Sequence, residues 1–381
     1  LAYDGALLFG GSDASGNPRA STARAVANYF ESALALAQGS AFQPCSPTPA
    51  VFDNATPAGR AADIALCLTP KPQTIDTTDP TQFAQLTTVV SARPLAFRDD
   101  ANQRLQLGSS GVFGSGSGAA PLYGCIWHPT AQTLGQASTA VNLRAYFSFY
   151  VANRGDGFTF TIADADAARN ASIAMCGASG ANMGYAGNNG TTSPINYPKI
   201  GLEIDRNCDA AYGDPSCASG SYRQLAFVYW GASATLTDDN THGAGGTGSP
   251  VNPASGASGF RKSTSTSFLA NLTMQYVRLE MQRTYDATAH RATHVLRAYL
   301  TSNITGSGCL TADFTDLTDD IANINPGCFV SGPTISDTIA IDDVAGASGA
   351  PLKTVWIGFT NSQGAQDQII YVYGLKTNIG P

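Results

Sequence analysis

Charged side chains are scarce in this chain, and it has no long apolar run. Asp, Glu, Lys and Arg make up 13% of the 381 residues, whereas glycine contributes 40 residues and proline 20. This composition argues against a helical bundle or a coiled coil and favours a loop-rich all-β protein. No apolar segment approaches the roughly 18–20 residues of a membrane span. The net charge of −7 offers no basic surface to nucleic acid or to an anionic membrane, so neutral molecules or cations are the expected partners.

The motifs of several enzyme classes are also missing. Neither a Gly-x-Ser-x-Gly elbow nor a phosphate-binding loop occurs, because the Gly/Ser runs lack the flanking strand, helix and lysine of such motifs. The histidines share no motif with a nucleophile or with a set of metal ligands; they are His128, His242, His290 and His294.

The eight cysteines show no CxxC and no Cys/His spacing of a zinc site. An even number of scattered cysteines indicates an oxidising compartment, hence an exported protein with up to four disulfides. The close pairs suggest Cys45–Cys67, Cys208–Cys217 and Cys309–Cys328, leaving Cys125–Cys176. Many other pairings stay open, since sequence alone does not fix connectivity. The first residue is Leu1 rather than Met, so we expect a processed or truncated form whose signal or anchor is missing.

Residues 1–83 differ from the rest of the chain and are predicted to form an extension. Ser21 to Gly39 is predicted to be a helix, with Ser21 or Thr22 as its N-cap and Gly39 as its stop. Its apolar stripe is typical of packing against a sheet. The Pro-, Thr- and Asp-rich stretch that follows is predicted to be irregular and closed by Cys45–Cys67.

From residue 84 to 381 the chain is predicted to be a large antiparallel β-sandwich. Apolar and polar residues alternate plainly in Tyr276–Arg283, and Tyr285–His290 is predicted to be the turn of a hairpin. The clearest predicted strands are Leu143–Val151, Phe158–Asp164, Lys199–Asp205, Gln224–Gly231, Met274–Tyr285, Thr293–Thr301, Val355–Asn361 and Gln368–Lys376.

The most informative segment is the strand Lys199–Asp205 with the loop after it. A period of two puts Glu203 and Asp205 on one face of the sheet, about 6–7 Å apart. The loop adds Asn207, Asp209 and Asp214, so five oxygen-bearing side chains lie within twelve residues. Such a set suits a hard cation such as calcium, which takes about six to eight oxygen ligands. An acidic, solvated strand end and turn is the alternative, because Asp and Asn are ordinary turn residues.

Four motifs occur in an order that resembles a known family. They are the Gly155-Asp-Gly157 turn between two strands, the Gly-rich stretch Gly177–Tyr185, the acidic segment Ile200–Asp205 ending in Gly213-Asp-Pro-Ser216, and Val355-Trp-Ile-Gly-Phe-Thr-Asn-Ser362 followed by Ile369–Gly374. Their succession resembles the legume-type (L-type) lectins over residues 84–381. The resemblance implies a concanavalin A-like sandwich, or jelly roll, with the helical and irregular segment 1–83 as an N-terminal extension.

The resemblance also implies a calcium site in the acidic loop. Asp205, Asp209 and Asp214 correspond to calcium ligands, and Asn207 corresponds to a backbone carbonyl ligand. Glu203, with Asp205 and Asp214, faces the position of a second, transition-metal ion in that family. That ion also requires a downstream histidine, and Ser221–Leu225 contains none. We therefore expect calcium and no second metal, with Cys208–Cys217 restraining the loop instead.

The resemblance further implies a sugar site. The Gly-Asp-Gly turn supplies Asp156, whose carboxylate accepts hydrogen bonds from sugar hydroxyls. Gly180, or its neighbour Ala181 or Asn182, corresponds to the backbone amide donor of the Gly-rich loop, and Asp209 or Asn207 corresponds to the side chain from the metal loop. Tyr212 is a candidate for the aromatic platform under the sugar, as are Tyr185 and Tyr222. Read without the resemblance, Gly155-Asp-Gly157 is an ordinary hairpin turn.

Three functions follow as hypotheses. The preferred one is a secreted or surface-displayed lectin-like adhesin or glycan-recognition protein, without catalysis. A structural subunit of a surface filament, displaying a lectin-fold head and assembling through the missing N-terminus, is an alternative. A glycoside hydrolase of the same sandwich is another, because Glu203-Ile-Asp205 resembles the start of a Glu-x-Asp-x-x-Glu nucleophile strand. The proton donor of that motif falls on Cys208, however, and a retaining mechanism needs a second carboxylate about 5–5.5 Å away.

Overall fold

The computed structural model describes residues 73–91, 94–111, 122–135, 140–152, 155–166, 170–187, 190, 193–207, 224–230, 258–264, 272–305, 308–343, 350–364 and 366–380. Nearly all of them belong to one unit, Thr74–Ile379. The predicted helix at 21–39 and the predicted disulfides Cys45–Cys67 and Cys208–Cys217 lie outside the described residues. The predicted boundary between an extension and a sandwich at residue 84 stays a prediction.

The described residues form two eight-stranded sheets. Sheet one has the order β14-β13-β12-β7-β16-β4-β3, with β1 beside β16. Its strands are β1 (Gln73–Asp76), β3 (Ala96–Asp99), β4 (Arg104–Leu107), β7 (Val141–Val151), β12 (Gln275–Asp286), β13 (Arg291–Thr301), β14 (Ile335–Asp342) and β16 (Ile370–Gly380).

Sheet two has the order β11-β10-β9-β8-β15-β5-β2, with β6 beside β15. Its strands are β2 (Thr87–Val90), β5 (Tyr123–Trp127), β6 (Gln132–Thr133), β8 (Gly157–Asp164), β9 (Lys199–Asp205), β10 (Gln224–Trp230), β11 (Ser258–Thr264) and β15 (Thr354–Ser362). Three short α-helices and one 3₁₀ turn complete the described elements: α1 (Pro80–Phe83), α2 (Thr311–Thr315), α3 (Ile321–Ile324) and the turn Gly180–Asn182.

The predicted fold class, an all-β antiparallel sandwich, is confirmed. The pairs that build the centre of each sheet are antiparallel, including β12 with β13, β8 with β9 and β8 with β15. The hairpin predicted at Tyr285–His290 joins β12 to β13. Each of the eight predicted strands is a strand in the structure, with ends shifted by at most four residues.

The core lies between the two sheets. Phenylalanines dominate its centre, where Phe147 of β7 contacts Phe160 of β8 and Phe359 of β15 at ring-centroid distances of 5.5 and 5.1 Å. Alternate residues of each strand point into this layer, as Val277, Leu279 and Met281 do from β12. Burying each such side chain contributes roughly 1.5–3 kcal/mol to stability.

Part of the outer face of each sheet is also buried, beneath a segment that packs on it. Residues 170–187 and 193–198, here termed the sheet-two cover, pack Met175, Cys176 and Ile195 against Tyr123 and Trp127 of β5. Residues 308–334, the sheet-one cover, carry α2 and α3 and pack Phe314, Leu317 and Ile321 against Tyr146 and Tyr299. Two predicted disulfides are confirmed: Cys125–Cys176 ties the sheet-two cover to β5, and Cys309–Cys328 lies within the sheet-one cover.

Two further observations bear on the setting of the protein. No helix among the described residues is both long and apolar enough to cross a membrane. The two disulfides fit an oxidising compartment.

Candidate functional site

Two acidic side chains lie on the outer face of β9, as the alternation predicts. Ile200, Leu202 and Ile204 point into the core, so Glu203 and Asp205 point to the opposite face. Both are buried, with exposed fractions of 0% and 2%. Across the sheet, Glu203 lies opposite Thr159 and Ala226, and Asp205 lies opposite Gly157 and Gln224. The strand therefore brings two carboxylates close to the Asp156 turn.

These carboxylates accept hydrogen bonds from neighbouring groups. Oε2 of Glu203 accepts from Nε2 of Gln224 at 3.1 Å, across the β9–β10 pair. Oδ1 of Asp205 accepts from the backbone N–H of Asn207 at 2.8 Å, which turns the chain sharply at the end of the strand. Two buried carboxylates at the start of an acidic loop form an oxygen donor set, and this chemistry fits calcium rather than a soft metal.

The rest of the predicted metal set cannot be placed. Glu203, Asp205 and Asn207 are described, whereas Asp209 and Asp214 lie in 208–223, outside the described residues. Within the described part of the chain, no group of three or more His, Cys, Asp and Glu side chains converges as a metal site. The calcium site therefore stays a prediction.

Asp156 lies where the chain passes from one sheet to the other. It follows β7 of sheet one and precedes β8 of sheet two, so the Gly155-Asp-Gly157 segment is a crossover and not the turn of a hairpin. The side chain is 3% exposed, and its carboxylate packs against Gly364, where an added Cβ would lie 3.0 Å from Oδ2. The backbone carbonyl of Asp156 accepts from the N–H of Arg206 at 3.1 Å. The turn is thus fixed beside the start of the acidic loop.

The Gly-rich stretch crosses the outer face of sheet two and reaches the same end. Gly180 to Asn182 form a single 3₁₀ turn, and Gly180 has a positive φ of 66° with open space where a side chain would point. The carbonyl of Gly180 accepts from the hydroxyl of Ser362 at 2.7 Å, at the end of β15. Nδ2 of Asn182 donates to the carbonyl of Ser179 at 3.3 Å, within the same turn.

The aromatic candidates divide between a buried ring and residues outside the described set. Tyr185 is fully buried and donates its hydroxyl hydrogen to the carbonyl of Val228 at 3.1 Å, so its ring is not available to stack on a sugar. Tyr212 and Tyr222 lie outside the described residues.

The structure brings together several of the predicted site residues at one end of sheet two. Asp156 connects to the acidic loop through Arg206, and Gly180 connects to the end of β15 through Ser362. Gly364 links Asp156 to the Gly180 turn, because it lies two residues after Ser362 and contacts the carboxylate of Asp156. Ser362 and Gly364 were not predicted as site residues, although Ser362 ends the motif Val355–Ser362 and the run Ser362-Gln-Gly364 directly after the predicted strand is a signal for a loop.

The geometry does not favour the hydrolase hypothesis. A nucleophile has to reach its substrate, but Glu203 is fully buried beneath the sheet-two cover. Its cross-strand neighbour Thr159 donates a hydrogen bond to the sulfur of Met183 in that cover, at 3.9 Å. The position of the second acid, Cys208, lies outside the described residues.

Comparison with known proteins gave matches among solved structures. No family model and no curated protein sequence matches this chain. A Bauhinia forficata lectin in complex with GalNAc is 14% identical, covering 81% of this chain and 98% of the lectin, with a TM-score of 0.41. The basic winged bean lectin with Tn-antigen is 16% identical, with 81% and 98% covered and a TM-score of 0.40. The metal-free lectin I-B4 from Griffonia simplicifolia is 14% identical, with 82% and 100% covered and a TM-score of 0.40.

Proposed function

We propose that this chain is an exported, lectin-like carbohydrate-binding protein whose glycan site lies at the Asp156 end of sheet two. The observation that carries the proposal is the position of Asp156, whose carboxylate packs against Gly364 and whose backbone carbonyl accepts from the N–H of Arg206 at the start of the acidic loop. A carboxylate is an acceptor only, and it can bind two adjacent sugar hydroxyls. The open turn at Gly180 borders the same end of the sheet through Ser362.

Calcium belongs to the proposal as the ion that orders the acidic loop. Asp205 and the backbone carbonyl of Asn207 begin its ligand set, Asp209 and Asp214 complete it, and Glu203 lies beside it on the same strand face. A bound calcium ion would compensate the charge of the buried carboxylates and fix the loop next to Asp156. Asp209 or Asn207 then supplies a polar group to the sugar, and Tyr212 supplies an aromatic surface.

The proposal is tested by titrating chelator-treated protein with calcium in a calorimeter and then probing a glycan array with and without calcium. We expect calcium binding and a glycan signal that requires calcium. The variant Asp156→Asn should lose the glycan signal, because an amide cannot accept at both of its atoms. Asp164→Asn is the matched control, since Asp164 is 2% exposed and lies at the other end of β8.

The other hypotheses predict different results in the same experiments. Calcium uptake without any glycan signal would contradict glycan binding and direct attention to self-assembly of a filament subunit. Release of reducing sugar that Glu203→Gln abolishes would indicate a hydrolase instead. Absence of calcium binding would contradict the ligand set and leave the fold alone.

A further inference from the structure

Gln368 is a fully buried residue that contacts the backbone on either side of the candidate site. It precedes β16, and its side-chain amide lies between Gly157 at the start of β8 and Ser362 at the end of β15. Oε1 accepts from the N–H of Gly157 at 2.8 Å. Nε2 donates to the carbonyl of Gly157 at 2.8 Å and to the carbonyl of Ser362 at 3.2 Å. Both polar atoms of the side chain are therefore used.

The amide of Gln368 takes the place of a peptide group in the sheet. The register of β8 and β15 ends at Phe158 opposite Asn361, and the next residue, Ser362, pairs with Tyr123 of β5. Gly157 therefore exchanges its two backbone hydrogen bonds with Gln368 instead of with β15. The side chain adds one rung to the ladder between β8 and β15 at the point where Asp156 leaves the sheet.

Close packing reinforces this contact. Gly155 lies so near that an added Cβ would be 2.5 Å from Cβ of Gln368 and 2.7 Å from its Oε1. Gly157 has a φ of 116°, and a Cβ there would lie 2.2 Å from the carbonyl oxygen of Ile204. Both residues that flank Asp156 thus have to be glycine, one of them because of Gln368. This requirement accounts for the Gly-Asp-Gly pattern better than an ordinary turn does.

We propose that Gln368 is a positioning residue for glycan recognition. It holds the backbone next to both Asp156 and Gly180, through its bonds to Gly157 and Ser362. Gly157 follows Asp156 directly, and Ser362, whose carbonyl accepts from Gln368, donates its hydroxyl hydrogen to Gly180. Gln368 thereby fixes the distance between the Asp156 carboxylate and the Gly180 turn. The inference rests on the proposed function, because that function makes these two groups parts of one glycan site.

The first test compares Gln368→Met with Gln275→Met. Gln275 is a matched control because it is 1% exposed and donates to the carbonyl of Thr273, on sheet one. Gln368→Met removes both bonds to Gly157, so we expect glycan affinity to fall about tenfold. Amide hydrogen exchange of Gly157, followed by NMR in the ligand-free protein, should accelerate by about the same factor. Gln275→Met should change neither quantity, even where its effect on the midpoint of unfolding is similar.

The second test uses Gln368→Glu and its pH profile. A protonated glutamic acid has the shape of glutamine, accepts from the N–H of Gly157 and donates one hydrogen to a carbonyl. An ionised glutamate donates nothing and places negative charge against two carbonyl oxygens. The ratio of the glycan affinity of Gln368→Glu to that of the wild type should therefore be close to one at acid pH. This ratio should fall about tenfold as the carboxyl group of the variant ionises. A residue that only filled space would give a ratio independent of pH.

The outcomes separate this inference from the proposed function. Unchanged Gly157 exchange and unchanged affinity in Gln368→Met would overturn the positioning role, and so would an equal loss of affinity in Gln275→Met. A wild-type protein that binds no glycan overturns the proposed function and with it the role in glycan recognition. Gly157 exchange then still shows whether Gln368 fixes the turn.

Discussion

Each outer face of the sandwich carries a covering segment, but the two covers are attached in different ways. The sheet-one cover (308–334) is held by buried charges, with Arg278 donating to Glu280 at 2.9 Å and to the carbonyls of Asp313, Asp316 and Asp319. The sheet-two cover (170–187 and 193–198) is held mainly by neutral hydrogen bonds, including those of Tyr185 and Ser362, together with one buried lysine and a disulfide to β5. Nζ of Lys199 donates to two of its carbonyls, and Nε1 of Trp127 donates to the carbonyl of Met175 at 2.9 Å.

This difference suggests that the sheet-one cover serves the stability of the fold, whereas the sheet-two cover serves glycan recognition. Arg278 and Glu280 both lie on β12, and each bonds the cover, Arg278 through three carbonyls and Glu280 through the N–H of Ile321. Hydrogen bonds to buried charged groups are costly to break, so the sheet-one cover should behave as part of the fold. The sheet-two cover carries Gly180 and Asn182, and most of its contacts are neutral hydrogen bonds. Sheet one also buries Arg283 and His294 on its core face, where they lie opposite each other on β12 and β13. Variants that loosen the sheet-one cover should therefore change the free energy of unfolding, and variants that loosen the sheet-two cover should also change glycan binding.

The largest expected effect is an acid-induced loss of stability from His294. Burial, together with the nearby Arg283 guanidinium, lowers the pKa of His294 from 6.5 to about 3. The unfolded chain binds a proton at this histidine below about pH 6.5, and the folded protein does not until about pH 3. The free energy of unfolding is therefore unaffected by titration of this histidine above pH 6.5. It decreases as the pH falls from 6.5 towards 3, by on the order of 5 kcal/mol in total.

His294→Leu is the variant that isolates this contribution. Between pH 7.5 and 5, where carboxylates titrate little, denaturant unfolding of the wild type should lose about 2 kcal/mol more than the variant does. The same pH slope in both proteins would contradict the assignment to His294.

Removing the buried guanidinium of Arg278 should have the next largest effect. Burial lowers the pKa of Arg278 and raises that of Glu280, so each charge is held at a desolvation cost. Arg278→Met leaves Glu280 buried without its partner and should reduce the free energy of unfolding by about 3–5 kcal/mol. Glycan affinity should stay at the wild-type value, because the candidate site is on the other sheet.

The double variant Arg278→Met/Glu280→Leu is the control for this prediction. It removes both charges, so we expect it to be more stable than Arg278→Met alone in the same denaturant titration. A loss below about 1 kcal/mol in the single variant would show that the pair behaves like an exposed one.

The two disulfides offer a direct comparison of the covers. Cys125–Cys176 closes a separation of 51 residues and Cys309–Cys328 one of 19. Replacing both cysteines of a pair by alanine should cost about 4 kcal/mol for the first and about 3 kcal/mol for the second in the chain-entropy estimate. The first replacement should also weaken glycan binding, because it releases the Gly-rich stretch from β5. Equal glycan affinity in the two variants would contradict a separate role for the sheet-two cover.

Much of the fold could be predicted from the sequence, because strand alternation is a local signal. Strand Lys199–Asp205 was predicted with the bounds that the structure shows. Strands such as β11, with the polar sequence Ser258–Thr264, were missed because they owe their conformation to a neighbouring strand rather than to their own pattern. The pairing Cys309–Cys328 followed from proximity in the chain, and Cys125–Cys176 was the pair left over.

The candidate site could be predicted only in part. Asp156 and Glu203 stand out because their motifs are contiguous in the sequence. Gln368 could not be found in this way, because it is 211 residues from Gly157 and a glutamine at the start of a predicted strand has no distinctive pattern. Tyr185 shows the opposite error, since proximity to the Gly-rich stretch suggested a sugar platform, whereas burial assigns its ring to the packing between the cover and β10.

Lys199→Met is expected to have the smallest effect on global stability of these variants and the most local effect on amide exchange, centred on the sheet-two cover. Lys199 is fully buried, and Nζ donates to the carbonyls of Tyr185 and Ile195 at 2.9 Å each. Methionine retains the apolar stem but leaves both carbonyls without this donor, so unfolding should become easier by about 2–3 kcal/mol. Amide exchange across 177–187 should accelerate more than exchange in β9, and glycan affinity should fall with it.

Lys376→Met is the matched control, because Lys376 pairs with Asp76 at 3.1 Å while both side chains remain about one-third exposed. An exposed pair of this kind contributes about 0–1 kcal/mol, so its loss should leave exchange in 177–187 unchanged. If Lys199→Met behaved like this control, the sheet-two cover would be held by packing and its disulfide alone. If Lys199→Met instead lowered glycan affinity while amide exchange in β9 stayed slow, the sheet-two cover would open independently of the sandwich. The sheet-one cover, which is bonded to buried charged side chains, should not open in this way.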